Sequence, residues 1–255
     1  MRFADRIIYV TGAASGIGRA AAQRFAAEGG RVFAVDVNGD GLRETLALID
    51  AAGGTTAGAA DGGTCDVASP SSVQASIAAA VRRFGGLHVL VNAAGVGGFV
   101  RLEEIDEAEW MRVIGVNLNG PFHTTSAALP HLLQQRGASI VNVTSTAAMR
   151  GQAYCSHYAA SKAGLLNFTR SIALEFATRG LRANCVSPGS VRSPLLRHFI
   201  PREDFENQLI NYCRPPVPKQ LFEPEQVAQV IAFLASDEAA MINGAALVTD
   251  GGTLA

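Results

Sequence analysis

Ile7-Ile8-Tyr9-Val10-Thr11-Gly12-Ala13-Ala14-Ser15-Gly16-Ile17-Gly18 is the stretch on which the fold turns. Its apolar part, Arg6–Val10, reads as a buried strand, and Gly16–Glu28 carries helical period. A glycine-rich junction between them lets the chain turn tightly. It also lets backbone N–H groups at the helix start approach a pyrophosphate, which the positive end of the helix dipole favours. Glycine also ends strands and packs helices closely, so the junction alone leaves that plainer reading open. About 20 residues further on, Asp36 closes the second apolar run, where a carboxylate can accept hydrogen bonds from an adenosine ribose. A 2′-phosphate placed there would meet a like charge, which favours NAD over NADP. Ser15, Val37 and Asn38 offer no compensating cation, although Arg19 is near in sequence. The plainer alternative for Asp36 is a solvated carboxylate at a strand end. Asp66 is a candidate partner for the adenine amino group, with a simple turn carboxylate as its alternative.

The same alternation continues to the end of the chain. Val32–Asp36, His88–Asn92, Ser139–Thr144, Arg182–Ser187 and Ala246–Thr249 are largely apolar without strict alternation, as strands are when helices cover both faces of a parallel sheet. A weaker third strand falls in the glycine-rich stretch before Cys65-Asp66-Val67. Between the strands, Leu42–Ala51, Ser71–Phe84, Glu107–Gln135, Tyr154–Ala177 and Pro224–Ser236 read as helices, with Gly120-Pro121 expected to kink or split the third of these. Trp110 and Phe84 read as core. Strict βα alternation with right-handed crossovers means an α/β fold with one doubly wound parallel sheet and helices on both faces. Residues Ser193–Phe222 interrupt the rhythm. They are proline-rich with mixed charge, Arg202-Glu203-Asp204 and Pro215-Pro216 among them, and are expected to form a lobe that closes on bound ligand.

Bulk properties exclude several other classes. The 255 residues, 48% hydrophobic and 17% charged, can bury a sizeable core. A net charge of -1 gives no electrostatic footprint for nucleic acid or an anionic membrane. The opening Met1-Arg2-Phe3-Ala4-Asp5-Arg6 is too short and too charged for a signal peptide, and no apolar run approaches a membrane span, so a cytoplasmic location is expected. Cys65, Cys155, Cys185 and Cys213 are scattered, with no metal-ligand spacing to any histidine, and read as free thiols. No metal is expected.

The chemistry-bearing residues lie in the second half. Lysine occurs only at Lys162 and Lys219 among 21 basic residues, and Lys162 stands four residues after Tyr158 on one helix face. An unperturbed phenol, with a pKa of about 10, is a poor acid–base catalyst near neutrality. A fixed ammonium nearby would lower that value. Ser145 ends the fifth strand at the carboxyl edge, where its hydroxyl can donate to a substrate carbonyl or serve only as a turn residue. Asn117 alone reads as readily as a bridge inside the fold. Tyr154 shares the expected helix face but has no lysine four residues on, and reads as pocket wall or packing. Cys155 either faces substrate or fills space. His157 points about 100° away from Tyr158 and is not expected to be the base.

Together these residues resemble the short-chain dehydrogenase/reductase family over essentially the whole chain. The marks are Thr11-Gly12-x-x-x-Gly16-Ile17-Gly18, Asn92-Ala93-Ala94-Gly95, Asn117, Ser145, Tyr158-x-x-x-Lys162 and Pro188-Gly189. The resemblance implies a single Rossmann-type domain of about seven strands spanning 1–255. It implies that Tyr158 is the general acid in ketone reduction and the base in alcohol oxidation, and that Ser145 holds the substrate oxygen. Lys162 would bind the nicotinamide ribose and depress the tyrosine pKa, and Asn117 would hold a water linking Lys162 to solvent. Cofactor contacts carried over in the same way are Gly12, Ser15, Gly16, Ile17 and Gly18 at the turn. Asp36, Asp66, Val67, Asn92, Ala93 and Gly95 would serve the adenosine side, and Pro188, Gly189, Val191 and Ser193 the nicotinamide side. Ser193 replaces a threonine common in the family but keeps the hydroxyl. Gly62-Gly63 reads as extra loop relative to many members.

The reaction so implied is hydride transfer between NAD and a secondary alcohol or ketone. An NADP-dependent 3-oxoacyl-type ketoreductase is the alternative within enzymology, and Asp36 counts against it. A non-enzymatic NAD-binding regulator is the alternative outside it, and would typically lack the serine, tyrosine or lysine. Gly97, Thr146, Ala147, Gln152, Cys155 and the 193–222 lobe are expected to shape a mostly small or apolar pocket. That pocket suits a neutral, moderately apolar alcohol, with steroid, cyclic alcohol, short hydroxy ester and polyol all open. A homotetramer is expected by resemblance, since the two long helices in the second half present more alanine and leucine than one sheet face covers.

Overall fold

The computed structural model describes residues 1–53, 60–211 and 221–255. Its strands are β1 (Ile7–Thr11), β2 (Arg31–Asp36), β3 (Ala60–Thr64), β4 (Val89–Asn92), β5 (Ser139–Val143), β6 (Arg182–Pro188) and β7 (Ala246–Thr249). All pair in parallel within one sheet, in the order β3-β2-β1-β4-β5-β6-β7. The winding direction reverses between β1 and β4, so the carboxyl ends of these two strands open the crevice where such sheets bind ligands. The helices are α1 (Gly16–Ala27), α2 (Gly39–Ala51), α3 (Pro70–Phe84), α4 (Glu107–Ile114), α5 (Gly120–Leu132), α6 (Ser156–Glu175), α7 (Asn207–Asn211) and α8 (Pro224–Ala235).

Successive strand residues face opposite ways, and each face builds its own apolar layer. Ile8, Val10, Val32 and Ala34 pack with Phe25 of α1, Ile49 of α2 and Ile231 of α8. Ile7, Tyr9, Phe33 and Val35 pack on the other face with Ile77 of α3, Leu132 of α5 and Ile172 of α6. Each large aliphatic side chain so buried contributes about 1.5–3 kcal/mol. Helix starts are fixed by local polar groups. Ser69 accepts from the Ser72 N–H ahead of α3, and Asp106 accepts from the Glu109 N–H at 2.8 Å ahead of α4. Among the described residues no helix is long and apolar enough to cross a membrane.

The structure departs from the sequence expectations in three places. Gly62 and Gly63 are not extra loop; they form the middle of β3, paired with Ala34 and Val35. The helix expected over Glu107–Gln135 breaks one turn before Gly120-Pro121, where Gly115–Asn119 adopt a π turn. Pro121 then falls in the first turn of α5, where its missing N–H is harmless. The helix expected from Tyr154 begins at Ser156, because Tyr154 has φ 61 and Cys155, at φ -149, also lies outside the helical region. Phe84 is buried as expected, whereas Trp110 is only half-buried. In the interrupting segment, Pro194–Phe199 form a 3-10 turn and Asn207–Asn211 form α7. Pro215-Pro216, Cys213 and Lys219 lie outside the described residues. Cys65, Cys155 and Cys185 are buried free thiols.

Candidate active site

The glycine junction sits at the carboxyl end of β1. A Cβ on Gly18 would lie 2.1 Å from the Gly12 carbonyl oxygen, so only glycine lets α1 start this close to the strand. Ser15 precedes α1 without a side-chain cap, and the first turn holds no acidic residue. The positive helix end is therefore left to a ligand's negative charge, which suits a pyrophosphate. Asp36 accepts from the Ala14 N–H at 3.0 Å and from the Asn38 N–H at 2.9 Å. Its carboxylate thus ties the β1 turn to the end of β2 while facing the cleft. Arg19 is turned away. Its guanidinium donates to the Ala14 carbonyl at 2.6 Å, to Glu44 at 2.7 Å and to Thr45 Oγ1 at 3.0 Å.

Gly12, Ser15, Gly16, Ile17, Gly18, Asp36, Asp66, Val67, Ala93, Gly95 and Ser193 all line this part of the cleft, about 350 Å³ in volume. Asp66 also closes its own turn, accepting from the Ala68 N–H at 2.9 Å. Asn92 does not join them. Its amide is buried, donating to Asn142 Oδ1 at 2.8 Å and accepting from Thr124 Oγ1 at 2.6 Å. The expectation that Asn92 lines the adenosine side is corrected accordingly: strand pairing draws it into the fold.

The cleft continues into a cavity of about 700 Å³ that shares Ile17, Ala93, Gly95 and Ser193 with the first part. Ser145, Tyr158, Lys162, Pro188, Gly189 and Val191 line it, and Lys162 is its only charged lining residue among the described ones. The Tyr158 phenol and the Ser145 hydroxyl share the cavity floor, where Ser145 acts to lower the phenol's pKa. Lys162 donates to the Val143 carbonyl at 2.8 Å, with its Nζ 5.8 Å from the centre of the Tyr158 ring. Burial dominates both titrations. It pushes the phenol up to about 12, against the lowering effect of the Ser145 hydroxyl, and pushes the ammonium down to about 8. The expected depression of the phenol by Lys162 does not appear in the protein alone: loss of water dominates, and the one lowering influence comes from Ser145.

Asn117 lies within the π turn, fully buried. Its side chain accepts from the Val96 N–H at 2.9 Å and donates to the Val96 carbonyl at 2.8 Å and to Ser161 Oγ at 3.0 Å. A Cβ added at Gly95 would sit 3.5 Å from both Asn117 Oδ1 and Lys162 Nζ, so the two groups meet at one point of the cleft floor. The Asn117 side chain is spent inside the fold. Its main-chain carbonyl lacks the usual α-helical partner four residues on, because Pro121 has no N–H.

Of the expected pocket wall, Thr146 and Gln152 line the cavity and Gly97 lines the cofactor side. Ala147 and Cys155 are buried behind it, with Cys155 as filler among Val113, Ala147 and Tyr158. His157 is fully buried with Nε2 3.4 Å from Glu109, away from the cleft. Tyr154 is not pocket wall; it packs against Phe205. Sequence reasoning missed Thr11, whose Oγ1 accepts from the Ala93 and Ala94 N–H groups, both at 3.1 Å. A hydroxyl at the strand end just before the glycines was the available clue. It also missed Phe99 and Phe199, which cap the cavity and carry no local signature.

A buried phenol beside a serine hydroxyl, at the end of a cleft that opens on a glycine-rich helix start, is equipped to move a proton to or from an oxygen bound there. That is the proton-transfer half of the chemistry of an oxidoreductase. A family model described as enoyl-(acyl carrier protein) reductase matches residues 12–253. The 3-oxoacyl-(acyl-carrier-protein) reductase of Thermotoga maritima is 37% identical over 252 residues, covering 99% of both chains. The D-threitol dehydrogenase of Mycolicibacterium smegmatis is 39% identical, covering 98% of this chain and 94% of its own. Among solved structures, a 3-ketoacyl-(acyl-carrier-protein) reductase from Brucella melitensis complexed with NADH superposes with a TM-score of 0.87 at 31% identity, covering 98% of each chain. The chain belongs to the short-chain dehydrogenase/reductase family.

Proposed function

We propose that the protein is an NAD-dependent dehydrogenase/reductase for a neutral, moderately apolar secondary alcohol or its ketone. The observation that carries this reading is the convergence of Ser145, Tyr158 and Lys162 on one cavity, whose only charged wall among the described residues is Lys162. When bound, the nicotinamide supplies or accepts the hydride, and in its oxidised form adds positive charge near the phenol. The protein's own groups do the rest. In oxidation, Tyr158 Oη takes the proton from the substrate hydroxyl while Ser145 Oγ donates to the same oxygen and fixes it. In reduction, Tyr158 returns the proton to the carbonyl oxygen. Lys162 holds the nicotinamide ribose and favours the phenolate. The Asn117 carbonyl holds the water through which Lys162 exchanges protons with solvent.

The α1 turn and Asp36 are the residues that would hold the dinucleotide, with Asp66, Val67, Ala93 and Gly95 on the adenosine side and Pro188, Gly189, Val191 and Ser193 on the nicotinamide side. Asp36 supports NAD over NADP, and the fixed contacts of Arg19 leave it no freedom to compensate a 2′-phosphate. A cyclohexanol dehydrogenase from Acinetobacter is 36% identical over 251 residues, which supports an apolar alcohol as substrate. A homotetramer in the cytoplasm is part of the same proposal, supported by the exposed Met111 and Phe122 on α4 and α5. A monomeric mass at micromolar concentration would refute the assembly. The deciding experiment for the activity follows reduced-cofactor absorbance with steroid, cyclic alcohol, short hydroxy ester and polyol, each with NAD and with NADP, and in the reverse direction with a 3-oxoacyl thioester and NADH or NADPH. Turnover of one apolar class with NAD supports the proposal. Turnover confined to 3-oxoacyl thioesters with NADPH would replace it with the ketoreductase reading.

A further inference from the structure

Five aromatic rings run in a chain from the residue just before the catalytic helix to the catalytic phenol. Tyr154 lies face to face on Phe205, with ring centres 4.0 Å apart and planes within 5°. Phe205 meets Phe99 edge-on at 6.3 Å, Phe99 meets Phe199 at 5.3 Å, and Phe199 meets Tyr158 at 5.1 Å. Phe199 and Phe205 come from the segment that covers the cavity; the other three rings come from the body of the domain.

Charged groups close over the outer end of this chain. The Arg101 guanidinium sits 5.5 Å from the Tyr154 ring centre and 5.4 Å from that of Phe205, and Arg202 sits 4.7 Å from Phe205. Each is held by carboxylates across the same seam. Arg101 pairs with Asp204 at 3.3 Å, and Arg202 makes two bonds of 2.8 Å to Glu104. Exposed ion pairs of this kind hold little by themselves. Their effect is to keep two cations on ring faces, where the ring quadrupole attracts them. Phe205 ends up buried between the Tyr154 ring and two guanidinium groups, although it lies on a surface segment.

Tyr154 adopts φ 61, a backbone region that glycine enters freely and a tyrosine does not. Three contacts hold it there. Its carbonyl accepts from the Val100 N–H at 2.6 Å, its hydroxyl accepts from the Glu206 N–H at 3.2 Å, and its ring carries the stack. An unfavourable backbone maintained by contacts to two other segments points to a role for the side chain in joining them.

We propose that Tyr154 is a positioning residue for the reaction. Its stack on Phe205, clamped by Arg101 and Arg202, fastens residues 194–206 over the cavity and seats Phe199 against Tyr158, so that substrate affinity depends on it and the chemical step does not. The proposal rests on the reading of the Ser145–Tyr158 site given above.

The test uses the full-length protein with NAD and the alcohol found by the substrate screen. Tyr154→Gly removes the ring and relieves the backbone, Phe205→Ala removes the partner, and Tyr154→Phe keeps the stack while losing the bond to Glu206. Losing a stacked pair and its cation contacts should raise KM for the alcohol on the order of tenfold in the first two variants. In both, kcat should stay within about twofold, and Tyr154→Phe should behave as the unmodified protein does. Trypsin cleavage after Arg197 and Arg202 should accelerate in the first two variants, measured without any substrate. Unchanged KM and unchanged cleavage in both would overturn the proposal, as would a fall in kcat at constant KM. Equal damage from Tyr154→Phe and Tyr154→Gly would also overturn it, by tracing the effect to the hydroxyl. If the unmodified protein oxidises no alcohol, the catalytic reading fails, and the trypsin comparison still decides the clamp.

Discussion

Replacing Asp36 with alanine removes the carboxylate proposed to hold an adenosine ribose, together with its bonds to the Ala14 and Asn38 N–H groups. The Asn38 N–H bond is exposed, whereas Ala14 is buried, so leaving its N–H without a partner should cost about 1–3 kcal/mol of stability. Affinity for NAD should change as well. A charge-assisted hydrogen bond is worth about 1.5–3 kcal/mol, so kcat/KM with NAD should fall tenfold to a hundredfold. The effect on NADP has two parts. Loss of the like charge helps a 2′-phosphate, but Arg19 stays tied to the Ala14 carbonyl, Glu44 and Thr45 and cannot approach it. The variant should therefore narrow the gap between cofactors without reversing the preference strongly. The assay is kcat/KM for both cofactors at one fixed alcohol concentration, in the unmodified and Asp36→Ala proteins. Equal or better activity of the unmodified protein with NADP would refute the reasoning at its root.

Tyr158→Phe removes only the hydroxyl at the cavity floor and should lower turnover by roughly 10²–10⁴-fold while NAD binding, followed by fluorescence titration, stays nearly intact. Near-full turnover would end the assignment of roles. In alcohol oxidation the pH–rate profile should rise through an apparent pKa below the value of about 12 held by the cofactor-free protein, because a positively charged nicotinamide beside the phenol favours the phenolate, and that limb should vanish in Tyr158→Phe. Lys162 gives a stability test. Burial lowers its pKa from 10.5 to about 8, so the unfolded chain holds a proton that the folded one has lost across that window. Stability of the cofactor-free protein relative to Lys162→Met should then rise as pH goes from about 8 towards 10.5, and be flat below it, in thermal melts. A relative fall over that window would contradict the burial argument. Adding NAD and substrate together should slow trypsin cleavage within 194–211; unchanged rates would mean a fixed loop.

The parts of the site that could be read from the chain are those whose chemistry is local. The glycine junction, the carboxylate of Asp36 at the next strand end, and the one-turn spacing of Tyr158 and Lys162 each follow from a few adjacent residues. What could not be read depends on partners far away in sequence. Asn92 belongs to a stretch that borders the cleft, yet the β4–β5 register sets it opposite Asn142, and its amide is consumed there. Arg19 looked free to meet a phosphate until α2 supplied Glu44 and Thr45. Tyr154 carried helical period with the residues after it, and contacts from Val100, Phe205 and Glu206, all distant in sequence, hold it outside the helix. The direction of the Tyr158 shift was misjudged for a related reason: charge is visible in a sequence, whereas depth below the surface is not.

The π turn at Gly115–Asn119 has a consequence for how this chain tolerates changes in length. The turn spends five residues where an α-helix would spend four, so the extra residue is absorbed locally. α5 thus keeps a phase that sets Ala128 and Leu132 on the sheet, where both are fully buried. Deleting one residue from 115–119 would turn the bulge into a uniform α-helix and leave that apolar stripe facing the sheet, provided Asn117 itself were spared. A single insertion within α5 has no such outlet and would rotate the stripe by about 100° towards solvent. The turn is thus the one place along this helical run where a change of one residue can be taken up without repacking the sheet.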